Sequence, residues 1–148
     1  DWIAFYREHR LVHQFDLAQK KGQSFHGVES LIKHIPDLFS EYKPFPSLLH
    51  GDLWGGNFSV DTEGQPYVFD PASYYGDREA DIAFTHMFGG FTKDFYKGYG
   101  EIFPLDPGFE IRKTLYNLYH ELNHYNLFGG SYARSAQSSI NHLLDYSP

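Results

Sequence analysis

The apolar periodicity of this chain changes twice, and that restricts the folds open to it. Before Pro36, Trp2, Phe5, Tyr6, His9, Val12 and Phe15 recur near helical spacing, and Val28, Leu31, Ile32 and Ile35 repeat the pattern. Gly22 reads as a stop between these helices, and Pro36 should end or kink the second. Only three short strand-like runs follow: "SLLH", "NFSV" and "PYVFD", with "DTEG" as a turn between the last two. From Asp77 the helical period returns. Asp77 and Thr92 are suited to cap "READIAFTHMF" and "KDFYKGYGEIF". Ile111, Leu115, Leu118, Tyr119, Leu122 and Tyr125 form one face of a long helix, and a last helix runs from about Tyr132 to Leu144. Three short strands cannot build a large sheet. The expected class is α+β, mostly α, with a small hairpin inside one helical domain over 1–148.

Composition narrows the function. The net charge of -7 disfavours nucleic acid or an anionic membrane as partner. With no cysteine, disulfides and thiolate metal sites are ruled out. No apolar run is long enough to span a bilayer, and no signal peptide is visible. The expected location is cytoplasmic. The chain opens in mid-helix without Met, so a piece of a longer protein is expected.

The chemistry concentrates in "HGDLWGGNFSVDTEGQPYVFD". If Val60 faces Tyr67 across a hairpin, Asn57 stands opposite Asp70, with Cα atoms about 4.5–5.5 Å apart. An amide oxygen and a carboxylate there would suit Mg²⁺ or Mn²⁺, which keep other positions for water and phosphate. Asp52, five residues before Asn57 in a Gly-rich loop, could orient and deprotonate an attacking hydroxyl. His50, Asp52, Asn57 and Asp70 follow the order of a kinase catalytic loop and its second metal-binding Asp. His50 and Asp81 are the candidates for holding that loop rigid, although an acid at Asp81 also favours its own helix dipole.

The segments "LLHGDLWGGN", "FDPASYYGDREADIAFTHMFGGF", "FYKGY" and "LYNLYHELNHYNLFGGSY" resemble the fructosamine kinases, also called ketosamine-3-kinases, over about residues 1–145. These are relatives of the aminoglycoside and choline kinases, with a protein-kinase-like fold. The resemblance implies ATP-dependent phosphorylation of the 3-hydroxyl of ketosamines, free or on glycated lysines. The product sheds its phosphate and frees the amine, so the role implied is protein deglycation. It implies Asp52 as catalytic base, Asn57 and Asp70 as metal and cofactor ligands, and ATP with Mg²⁺ or Mn²⁺ as cofactors. Gly51 replaces the usual Arg of the catalytic loop, and Trp54 stands where protein kinases often carry Lys or Arg. An indole there can pack against a sugar or a lysine stem. Pro71-Ala72 after Asp70 makes a protein-kinase activation switch doubtful. No phosphate-binding Gly loop and no strand Lys with a helix Glu precede Asp52. The chain therefore reads as the C-terminal lobe, with its N-terminal lobe as intramolecular partner, and as inactive alone. The alternatives are another small-molecule kinase of the same group, or a non-catalytic pseudokinase or binding module.

A second motif competes. "HELNH" at 120–124 is a complete H-E-x-x-H, a zinc-peptidase signature when on a helix. The extended form needs Gly and His where this chain has Leu127 and Gly130, no Glu follows Glu121, and His142 and Asp145 are distant. The motif is expected to be helix. The resemblance places "LNH" toward the acceptor, which makes His124 a candidate substrate contact beside Trp54. His9 and His13, also four apart, read as helix-surface histidines.

Overall fold

A computed structural model describes residues 1–147. The first helical stretch runs from α1 (Trp2–Phe5) through a π-helical segment (Tyr6–Val12) into α2 (His13–Lys20). The π-helical middle, with its i→i+5 bonding, winds more loosely than an α-helix and rotates the buried face. Tyr6, Leu11, Phe15 and Ala18 are therefore buried, while Phe5 and His9 of the expected face are exposed and Val12 is only half-buried. α3 (Val28–His34) passes into a 3₁₀ turn (Ile35–Phe39) with Pro36 in its first turn, which is where the helix should break.

Four short strands follow: β1 (Pro46–Leu49), β2 (Phe58–Val60), β3 (Pro66–Val68) and β4 (Tyr74–Asp77). They form two antiparallel pairs, β1 with β4 and β2 with β3. The β1–β4 pair was not expected, because β4 carries no alternation of its own: Gly76 and Asp77 are buried and Tyr75 is exposed. The remainder is helical: α4 (Arg78–Thr85), α5 (Lys93–Ile102), α6 (Phe109–Phe128) and α7 (Tyr132–Asp145). Asp77 and Thr92 cap α4 and α5 through their side chains, accepting from the Glu79 and Phe95 amides.

α6 is the spine, packed against α2, α4 and α7. Ile111, Leu115, Leu118 and Leu122 are buried as the periodicity predicts, while Tyr119 and Tyr125 are half-buried. Two polar groups on the same helix fasten α4. Arg112 forks onto Glu79, with Nε to Oε2 at 2.8 Å and Nη2 to Oε1 at 3.1 Å. A second bond from its Nη2 reaches Asp106 at 2.7 Å. One turn on, the Tyr116 hydroxyl donates to the buried Asp77 carboxylate at 2.6 Å, and Tyr42 donates to its other oxygen at 2.8 Å. A buried, bidentate pair is costly to break because the surviving charge is stranded.

Glu79→Ala should therefore lower unfolding stability by about 3–5 kcal/mol, read by denaturant titration. Glu110→Ala, which removes an exposed partner of Lys113, should cost at most about 1 kcal/mol. Equal costs for the two would contradict the pinning role of Arg112.

Candidate active site

The loop 50–57 enters from β1 and is held from below by one carboxylate. Asp81, in the first turn of α4, accepts the His50 amide at 2.6 Å and the Gly51 amide at 2.9 Å, one on each oxygen. Burial pushes its pKa up, and these two amides pull against that rise. From the side, the Ala72 amide donates to the His50 carbonyl at 2.8 Å. Gly51 has φ +83°, and a Cβ there would collide with the Ala72 carbonyl, so this turn requires glycine. The His50 ring bridges the loop to the hairpin: one nitrogen lies 2.9 Å from the Phe69 carbonyl, and the other accepts the Asp52 amide at 3.3 Å.

Asp52 and Asn57 are in direct contact. The Asn57 Nδ2 donates to the Asp52 carboxylate at 2.8 Å and to its carbonyl at 2.9 Å. The Asn57 amide returns to the Trp54 carbonyl at 2.9 Å and closes the turn. With its nitrogen committed to Asp52, the Asn57 amide oxygen is the atom that could ligate a hard cation. Asp70 follows β3, is exposed, and has φ +51°, an uncommon conformation for a residue with a side chain.

The hairpin register differs from expectation by one residue. Val60 faces Pro66, not Tyr67, and the Phe69 amide donates to the Asn57 carbonyl at 3.0 Å. Asn57 and Asp70 are therefore not directly opposed, and Asp70 lies one residue beyond Asn57's partner. The turn sets this register. Asp61 pairs with Gln65, its carboxylate accepts the Glu63 and Gln65 amides, and Gly64 takes a left-handed φ of +83°. Those are the features of a three-residue loop, which fixes strand pairing by its length. The residues left for a metal are an amide oxygen and a carboxylate, both hard donors that suit Mg²⁺ or Mn²⁺.

Trp54 is 38% exposed and its indole lies over Gly56, where a Cβ would strike the ring. Gly55 packs on Gly89 and Gly90, which bring Phe88 beside Trp54 at 5.9 Å between centroids. Phe88 meets the His124 ring edge-on at 5.5 Å, and His124 stacks on Tyr132 at 5.1 Å. Trp54 and His124 are thus linked through Phe88. That residue lies in the "THMFGG" segment, where an exposed Phe carries no chemical signature of its own.

The H-E-x-x-H residues diverge. His120 stacks face to face on Phe84 at 3.6 Å, and burial together with the nearby His124 and Arg10 pulls its pKa down to about 3. His124 Nδ1 lies 2.6 Å from the His120 carbonyl. Glu121 turns toward Ser139 on α7. Among the described residues no three His, Asp or Glu side chains converge on a common point.

The family model for fructosamine kinase matches residues 1–146. A probable ketoamine kinase of Synechocystis sp. is 47% identical over 143 residues, which are 97% of this chain and 48% of that protein. The ketosamine-3-kinase of Mus musculus is 44% identical over 146 residues, 97% of this chain and 47% of that protein. A solved structure of a candidate fructosamine-3-kinase from Thermobifida fusca superposes with a TM-score of 0.87 at 32% identity, covering 98% of this chain and 51% of that one. The chain spans about half the length of the relatives it matches.

Glu121 gives a pH-dependent prediction. Burial outweighs its Ser139 hydrogen bond and raises its pKa to about 7. A carboxyl that holds its proton more tightly when folded makes the fold lose stability as pH rises from about 4.5 to about 7. Glu121→Gln should therefore change stability little near pH 4.5 and raise it at pH 8, by an amount on the order of 2–4 kcal/mol. A pH-independent difference in urea midpoints between variant and wild type would refute this assignment.

Proposed function

Because the chain belongs to the fructosamine kinase family, we propose that it forms the acceptor- and metal-bearing lobe of an ATP-dependent ketosamine kinase. The observation that carries this reading is the Asp52 carboxylate, oriented by Asn57 Nδ2 in a loop anchored by Asp81. In that role Asp52 accepts the proton of the ketosamine 3-hydroxyl while that oxygen bonds to the γ-phosphorus and ADP departs. A general base contributes about 10²–10⁴-fold, and its fixed orientation adds the benefit of proximity. The other half of a protein of the relatives' length, proposed to be an N-terminal lobe, would supply most nucleotide contacts.

Asn57, through its amide oxygen, and Asp70 are the residues that would hold Mg²⁺ or Mn²⁺. The ion, when bound, supplies positive charge to the transferred phosphoryl group. His50 and Asp81 act at one remove, by fixing the backbone that carries Asp52. Trp54, two residues after the base, is joined by Phe88 to His124 in an aromatic surface. Such a surface suits the sugar face or the aliphatic stem of the amine in a ketosamine. Loss of the resulting 3-phosphate would free the amine, which makes deglycation of small adducts or of lysines on proteins the proposed role. Among the described residues no helix is long and apolar enough to cross a membrane.

In the full-length protein, Asp52→Ala should lower kcat by about 10²–10⁴-fold with ATP affinity nearly intact. Asn57→Ala and Asp70→Ala should each raise the Mg²⁺ concentration needed for half-maximal turnover of a fructose-lysine analogue. Near-normal turnover by Asp52→Ala would sink the proposal. Trp54→Ala should weaken kcat/KM for that analogue far more than ATP binding. Parallel losses for acceptor and ATP would remove Trp54 from the acceptor site.

A further inference from the structure

Arg10 is unlike the other well-packed arginines of this protein. Arg112 is matched by Glu79 and Asp106, and Arg78 is held by the Phe103 and Pro104 carbonyls. Arg10, half-buried, has no carboxylate at ion-pairing distance among the described residues. Its guanidinium lies between the faces of Tyr74 and Tyr119, at 4.6 and 4.7 Å from their centroids. It donates to the Tyr119 hydroxyl at 2.9 Å, while its Nε is buried with no acceptor. A desolvated cation with an idle donor is normally matched by an anion. The π-helical winding of Tyr6–Val12 carries Arg10, and such local distortions recur at functional sites.

Two lines of contact tie Arg10 to the proposed catalytic loop. On one side the Tyr74 ring lies against Gly51, the residue before Asp52. On the other, Tyr119 meets His120, which stacks on Phe84, and Phe84 touches Phe88 beside Trp54. The two chains of contact form a circuit that joins Arg10 to the loop carrying Asp52. His120, kept neutral by burial, adds no positive charge to that circuit.

We propose that Arg10, clamped between Tyr74 and Tyr119, is an anion subsite that recognises a carboxylate or phosphate carried by the acceptor. The inference rests on the acceptor site proposed above, and it names the acceptors favoured there as anionic adducts. A carboxylate would come from an amino-acid amine, and a phosphate from the sugar. Both match the planar fork of a guanidinium.

The test is calorimetric binding to the full-length protein, which needs no turnover. Three fructose adducts are compared: that of glycinamide, that of glycine, and that of glycinamide with a 6-phosphate on the sugar. The wild type should bind the second or the third about 10-fold or more tighter than the first, the effect of a charge-assisted hydrogen bond. Which of the two gains identifies the source of the anion. Arg10→Met should erase the preference and leave the glycinamide adduct within about 3-fold, and Arg10→Lys should retain part of it. Equal affinity of the wild type for all three would overturn the inference, and that result requires no variant to fold. So would an Arg10→Met protein, folded by thermal melt, that weakens all three alike, since that is a structural role. Anion-dependent binding without phosphorylation of any adduct would uphold the subsite and sink the kinase reading.

Discussion

One carboxylate sets the conformation on which the candidate site depends. Asp81 takes the two successive amides of His50 and Gly51, one on each oxygen, from the first turn of a helix that is itself capped by Asp77. Two amides pointing the same way require a sharp turn, and Gly51 at φ +83° supplies it. Asp52 then emerges where Asn57 can reach it. The His50 ring ties the loop to the Phe69 carbonyl at the end of the hairpin. Burial opposes the charge on Asp81, and its two hydrogen bonds favour that charge, so the carboxylate is anchored through the groups it anchors.

The helical body fixes that helix in place. α6 reaches α4 by the Arg112–Glu79 fork, by the Tyr116–Asp77 hydrogen bond and by the His120–Phe84 stack. The histidine of the apparent zinc motif is therefore a stacking residue in this packing, and the motif's Glu121 faces a different helix. The H-E-x-x-H spacing alone does not aim its residues at one point, because what each side chain packs against decides its direction.

Much of this was legible in the sequence for stated reasons. Asp77 and Thr92 are short polar residues before apolar-periodic runs, and both cap their helices. Ile111, Leu115, Leu118 and Leu122 keep a regular period, and all are buried. The failures also have physical causes. The π-helical segment breaks the 3.6-residue period, so Leu11 is buried where Val12 was expected. β4 has no strand signal, because its buried positions are a glycine and a capping aspartate. The hairpin register lies one residue from the expected one because the αL glycine of "DTEG" makes a three-residue loop. Phe88 and Arg10 were invisible because their significance lies in neighbours distant in the chain.

The central claim is that Asp52 directs phosphoryl transfer to one hydroxyl of a ketosamine. Phosphorus-31 NMR of the full-length protein with ATP, Mg²⁺ and a carbon-13-labelled fructose-lysine analogue tests it most directly. The account predicts one new phosphomonoester resonance coupled to carbon 3, which decays as inorganic phosphate and free amine appear. A phosphoester at another carbon, or ATP consumed to ADP and phosphate with the analogue unchanged, would contradict it.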